Sequence, residues 1–164
     1  MIAIDSIVKA LIDDKGFNDV KNIDLLEKTI LDPDIYHFVG VRSYWGSVTS
    51  CALISLADED TAAATKAAQN YYSFTKSLRN YAARLGLTKL GAFGLLCFFS
   101  TFPCSDGFRD HIVNLKSGSA RNQDYCLCWL LDAGHSRVYC HKGFPLTMFP
   151  GKKFFAGLLQ SNRE

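Results

Sequence analysis

The chain has 164 residues, 48% hydrophobic and 21% charged, which excludes disordered, collagen-like and coiled-coil classes and predicts one folded domain with a core that needs no staples. The formal charge of +2 is a cancellation: residues 1–60 hold 5 Lys/Arg against 11 Asp/Glu (−6), and residues 61–164 hold 13 against 5 (+8). Such a split fits a basic surface for a polyanion, or two complementary surfaces that meet within or between subunits.

The organisation expected over 1–164 is an acidic N-terminal helical pair (1–33), an α/β core (34–150) and a tail (151–164). The opening residues place Asp5 where a secretory leader carries base. The longest apolar run, 90–102, has 13 residues including two glycines and two hydroxyls, short of the roughly 20 that span a bilayer. Six cysteines without an export signal are expected to be reduced thiols, and the protein cytoplasmic, away from any membrane.

Ile4, Ile7, Val8, Leu11 and Ile12 form the apolar stripe of a first helix, which Gly16 ends. A second short helix is expected over 24–31, capped by Asp24 and stopped by Pro33. The β-branched and aromatic segments 35–42 and 48–56 flank a loop with Gly46, predicting a hairpin. Asp58, Glu59 and Asp60 then supply a cap and first-turn acids for a long Ala-rich helix to about residue 85, with Gly86 after its end. Residues 90–101 are almost continuously apolar, as in a central strand covered on both faces. Pro103 closes it. Segment 108–115 is short and of open type, and 116–123 is polar and a mobile-loop candidate. A second hairpin pairs 125–131 with 137–141, and the residues after Gly151 can form an amphipathic turn or two.

Two hairpins and one long helix predict an α+β domain. Its sheet is expected to be mainly antiparallel, with about five strands (two hairpins plus the central strand), packed by the long helix and preceded by two short helices. In element order alone this is similar to small ligand-sensing modules of the profilin and PAS/GAF kind.

Four constellations are chemically suggestive. Cys104 follows the central strand, with Asp106, Arg109 and His111 after it. A thiol there could act as a nucleophile, deprotonated by His111 or by a helix that Asp106 caps. Arg109 comes one residue too early for a cysteine-phosphatase cradle, and a plain turn with a solvated His111 fits the same residues. Cys126 and Cys128 share one strand face and, with Cys140 and His135, could hold zinc, although small buried side chains give the same pattern. Tyr72, Lys76 and Arg79, with Lys66, interleave base and aromatic on the outer helix face, as a nucleic-acid surface does and as a solvated face also does. Tyr44 and Trp45 at the first hairpin tip could anchor a partner or fold back onto the sheet.

The chain has no phosphate-binding glycine loop, no nucleophile elbow and no His-Glu-x-x-His. The reading that follows is a non-catalytic binding or regulatory module for a protein partner or small ligand, working as a homodimer, with no cofactor. The alternatives are a cysteine enzyme centred on Cys104 and nucleic-acid association through the basic two-thirds.

Overall fold

The computed structural model describes residues 3–20, 34–44, 47–84, 91–115, 117–119, 124–141 and 150–161. In chain order the elements are α1 (Ile4–Asp13), β1 (Asn18–Asp19), β2 (Phe38–Tyr44), β3 (Ser47–Ser55), α2 (Thr61–Arg84), β4 (Ala92–Ser100), α3 (Asp106–Asn114), β5 (Ser117–Ser119), β6 (Asp124–Asp132), β7 (Arg137–Tyr139) and α4 (Lys152–Gln160). The first helix, the first hairpin, the long helix, the central strand and the β6–β7 hairpin stand where the sequence pattern places them. The helix expected over 24–31 lies outside the described residues. The open segment after Pro103 is helical, because Ser105 caps it by accepting from the Phe108 N–H at 3.3 Å.

The expected sheet is corrected in both strand number and direction. The strands run in the order β1-β2-β3-β4-β6-β5, with β7 also paired to β6. β5 pairs with Asp124–Cys126 and β7 with Leu130–Asp132, while β4 runs along the whole of β6. The two short strands therefore share one edge of β6 end to end, and the sheet is six strands wide. Its centre, β3-β4-β6, is parallel, and the flanking pairs are antiparallel. Parallel neighbours require crossover connections, and α2 and α3 supply them.

Parallel strands are buried on both faces, and these are: all nine residues of β4 are buried, as are eight of nine in β3. On one face α2 and α3 pack Tyr71, Phe74, Leu78, Phe108 and Ile112 over Ala52, Leu96, Phe98, Cys126 and Leu130. On the other, α1 and α4 bring Ile7, Leu11, Phe155 and Leu159 onto Leu53, Leu95, Trp129 and Leu131. The acidic first helix and the C-terminal segment thus cover the same side of the sheet. The α2 layer sits close because Gly94 has no side chain; a Cβ there would lie 2.5 Å from Thr75 Oγ1. This three-layer arrangement departs from the ligand-sensing modules with one helix across an antiparallel sheet. Among the described residues, no helix is long and apolar enough to cross a membrane.

Candidate functional site

The three parallel strands finish at one edge, where Ser55 pairs in register with Phe99 and Ser100 with Asp132. In open α/β sheets ligands bind in the crevice beyond this edge where the strand order reverses. Here α2 and α3 both cross on the same face and β3-β4-β6 run on in one direction, so the edge has no such reversal. The loops after β3, β4 and β6 meet there, and Asp132 joins two of them. Its carboxylate is fully buried. Oδ2 accepts from the Cys104 N–H at 3.1 Å and from His135 Nδ1 at 2.8 Å, and Oδ1 accepts from the His135 N–H at 2.8 Å. An ionised carboxylate only accepts, so Nδ1–H is the donor in this pair. The His135 side chain is 43% exposed.

The crevice itself is closed. Gly134 lies against the Phe102–Pro103 peptide, and a Cβ at this position would come within 2.3 Å of Pro103 N and 2.4 Å of the Phe102 carbonyl carbon. Ser100 Oγ donates to the Phe102 carbonyl at 2.6 Å, and the Ala133 N–H donates to the Ser100 carbonyl at 2.9 Å. The loop after β3 is bound in through Glu59, whose two carboxylate oxygens accept from the Ser105 N–H and hydroxyl, both at 2.5 Å.

Cys104 is buried in this knot, 2% exposed. Burial pushes its thiol above the ordinary value; a hydrogen bond with Ser100 and the Arg109 charge oppose the shift, while Asp132 and Glu59 reinforce it. The group is therefore a neutral thiol, the wrong form for a nucleophile. His111 is directed to α2, with Nε2 2.9 Å from Thr65 Oγ1 and 3.2 Å from the Thr61 carbonyl oxygen. The histidine linked to Cys104 is instead His135, through Asp132. Asp106 forms an ion pair with Arg109.

The suggested zinc ligands are not brought together. Cys126 and Cys128 are in the α2-side core, Cys140 packs against the α4-side core, and His135 lies beyond the end of β6. Burial holds the Cys126 thiol well above its ordinary value, the reverse of a metal-bound thiolate. Among the described residues no group of three or more His, Cys, Asp or Glu could hold a metal ion. All six cysteines are free.

On α2, Lys66 and Lys76 are exposed, and Tyr72 is half-buried and packs onto the core. Arg79 donates to Asn80 Oδ1 at 3.3 Å. Tyr44 ends β2, and Trp45 lies outside the described residues.

Beside the closed crevice, at the β7 edge, α3, β7 and α4 leave a cleft of about 340 Å³ lined by Arg109, Asp110, Val113, Val138, Tyr139, Cys140, His141 and Lys152. Arg109 is its most constrained cation. Nε donates to the Ser105 carbonyl at 3.2 Å, Nη1 to the Tyr139 hydroxyl at 2.7 Å, and Nη2 reaches Asp106. The guanidinium also lies over the Tyr139 ring, 4.8 Å from its centroid, and the side chain is 19% exposed. Sequence reading singled out Arg109 but not Asp132 or the β7 residues of the cleft. Asp132 carried one signal, an acid ending an otherwise apolar strand. Nothing local marks Val138 or Tyr139, because the cleft joins elements from three parts of the chain.

No family model, curated protein or solved structure matches this chain.

Proposed function

We propose that this is a cytoplasmic binding and regulatory module without catalytic chemistry, that it takes a small molecule in the cleft between α3, β7 and α4, and that it works as a homodimer. The observation that carries the reading is the contrast between the two sites. At the strand ends the Phe102–Pro103 backbone packs against Gly134, and apart from the exposed edge of His135 the polar side chains Asp132, Ser100, Glu59 and Ser105 are bound within the knot. The cleft is open and holds a guanidinium clamped at three points. Preorganised, partly desolvated charge at an open surface recognises ligands well, since little ordering remains to be done on binding. The volume lies at the lower end of the roughly 300–1,000 Å³ common for small-molecule sites.

The homodimer draws on the charge split of the chain, −6 over residues 1–60 against +8 over 61–164, as opposite charges on two copies would attract. The nucleic-acid alternative loses support from the inward packing of Tyr72, and the Cys104 enzyme from the neutral, buried thiol. One observation favours a catalytic reading of a different kind: His135, oriented by a buried carboxylate and partly exposed, has the geometry of a general base.

The deciding experiment is an NMR titration of the ¹⁵N-labelled protein with a mixture of small molecules. Amide shifts grouped on Val113, Val138, Tyr139 and Lys152 support the proposal. Shifts confined to His135 and its neighbours favour the general-base reading, and shifts at neither place would overturn ligand binding at the cleft. Light scattering tests the dimer: a mass of 18.2 kDa at every concentration removes it.

A further inference from the structure

The lining of the cleft specifies more than a small molecule. Arg109 and Lys152 bring two positive charges to the lining and Asp110 one negative, and the Asp106 carboxylate just outside the lining pairs with Arg109. Val113, Val138 and the Tyr139 ring supply apolar wall. A guanidinium has five N–H donors; three of those on Arg109 are bonded to Ser105, Tyr139 and Asp106, which leaves one on each terminal nitrogen. The remaining N–H on each terminal nitrogen can donate to an anionic oxygen.

We infer that the cleft is a site for a small organic monocarboxylate with an apolar or aromatic body, with its carboxylate on Arg109 and its body against Val113, Val138 and Tyr139. The inference rests on reading the cleft as the binding surface. A monoanion is favoured over a phosphate ester because Asp110 lies in the same lining and repels a second negative charge. A wholly apolar ligand is disfavoured because it would cover the remaining Arg109 donors without replacing their water.

The test is isothermal titration with hydrocinnamate, its neutral isostere hydrocinnamamide, phenethylamine and inorganic phosphate, repeated while NMR amide shifts locate each probe. The expected result is binding of hydrocinnamate with shifts at Val113, Val138 and Tyr139, and affinities for the amide and the amine lower by roughly ten- to hundredfold, as befits loss of a charge-assisted hydrogen bond. Arg109→Gln should weaken hydrocinnamate by a similar factor, and Val113→Trp should block it by filling the cleft. Arg109 also braces α3, so circular dichroism must show both variants folded; the comparison of acid with amide needs only the unaltered protein. Equal binding of acid and amide in the cleft overturns the carboxylate assignment while leaving the cleft a binding site. Phosphate binding that is tighter than hydrocinnamate and lost in Arg109→Gln overturns the monoanion preference. If no probe shifts Val113, Val138 or Tyr139, the premise that the cleft binds small molecules fails with it.

Discussion

Asp132 and His135 are joined twice: Oδ2 of the buried carboxylate is 2.8 Å from the imidazole Nδ1, and Oδ1 accepts the backbone N–H of the same histidine at 2.8 Å. The third bond of the carboxylate, from the Cys104 N–H at 3.1 Å, makes Asp132 the fastening between the loop after β4 and the turn after β6. His135 lies at the rim of this arrangement, with 43% of its side chain exposed, whereas Asp132 is at its centre.

The two residues should therefore differ in what their removal costs. Asp132→Ala orphans the buried Cys104 N–H, at about 1–3 kcal/mol, and removes the acceptor of the part-buried His135 N–H at a smaller cost, so the loss should be about 3 kcal/mol. His135→Ala removes one ring at the surface and should cost about 1 kcal/mol or less. Urea denaturation of the two variants checks the order, and equal losses would show that the carboxylate does not hold the loops together.

Glycines at two positions give opposite expectations for the same substitution. Gly134→Ala places a Cβ 2.3 Å from a backbone nitrogen, so the Phe102–Pro103 segment must shift, at a cost of about 1–3 kcal/mol. Gly157 lies inside α4, and nothing stands within 4 Å of a Cβ built there. Gly157→Ala should stabilise the protein by up to about 1 kcal/mol through helix propensity. Thermal melting of both variants reads the signs directly. A neutral Gly134→Ala would mean that the two loops are not packed as tightly as the geometry demands.

Most elements could be read from the sequence because each is a local pattern. The stripe from Ile4 to Ile12 and the Ala-rich run with Tyr71, Phe74 and Leu78 have helical spacing, and residues 90–101 are apolar enough to be buried on both faces. Strand direction is not a local property. Two hairpins pointed to an antiparallel sheet, yet the 24 residues of α2 form a crossover of about 36 Å at 1.5 Å per residue, long enough to return the chain for a parallel partner. The continuous burial of β4 already carried that information, since a strand covered on both faces is what parallel sheets contain. Around Cys104 the sequence pattern offers His111 as the partner histidine, because proximity in sequence is the only proximity it carries. The fold turns His111 toward Thr65 and supplies Asp132 from the end of β6 and His135 from the turn after it, some 30 residues farther along the chain.

Buried thiols and a buried phenol make alkaline pH destabilising. Burial raises Cys97, Cys104 and Cys126 above the ordinary thiol value of 9.0, and Tyr71 above 10.0. In the unfolded chain these groups lose their protons first, so above the unfolded value the native state binds more protons than the unfolded state. Stability is then fully present below about pH 8 and falls as pH rises toward the folded values, by up to about 1.4 kcal/mol per pH unit for each group ionised only when unfolded. Urea midpoints measured from pH 7 to pH 10.5 should decline from about pH 9 upward. A flat profile over that range would show that these groups are not shielded as the fold places them.

The six thiols should also separate by reactivity. Cys51, Cys97, Cys104, Cys126 and Cys128 are buried, and Cys140 is half-buried at the cleft. Thiolate chemistry needs both access and ionisation, and Cys104 has neither. Ellman's reagent added to the native protein should therefore modify one thiol quickly, and six once the chain is denatured. Cys140→Ser should abolish the fast phase, whereas Cys104→Ser should leave it intact. If the fast phase survives in Cys140→Ser and disappears in Cys104→Ser, the knot around Asp132 opens readily in solution. The loop after β4 would then be the reactive part of the molecule, and the contrast drawn between a closed crevice and an open cleft would be reversed.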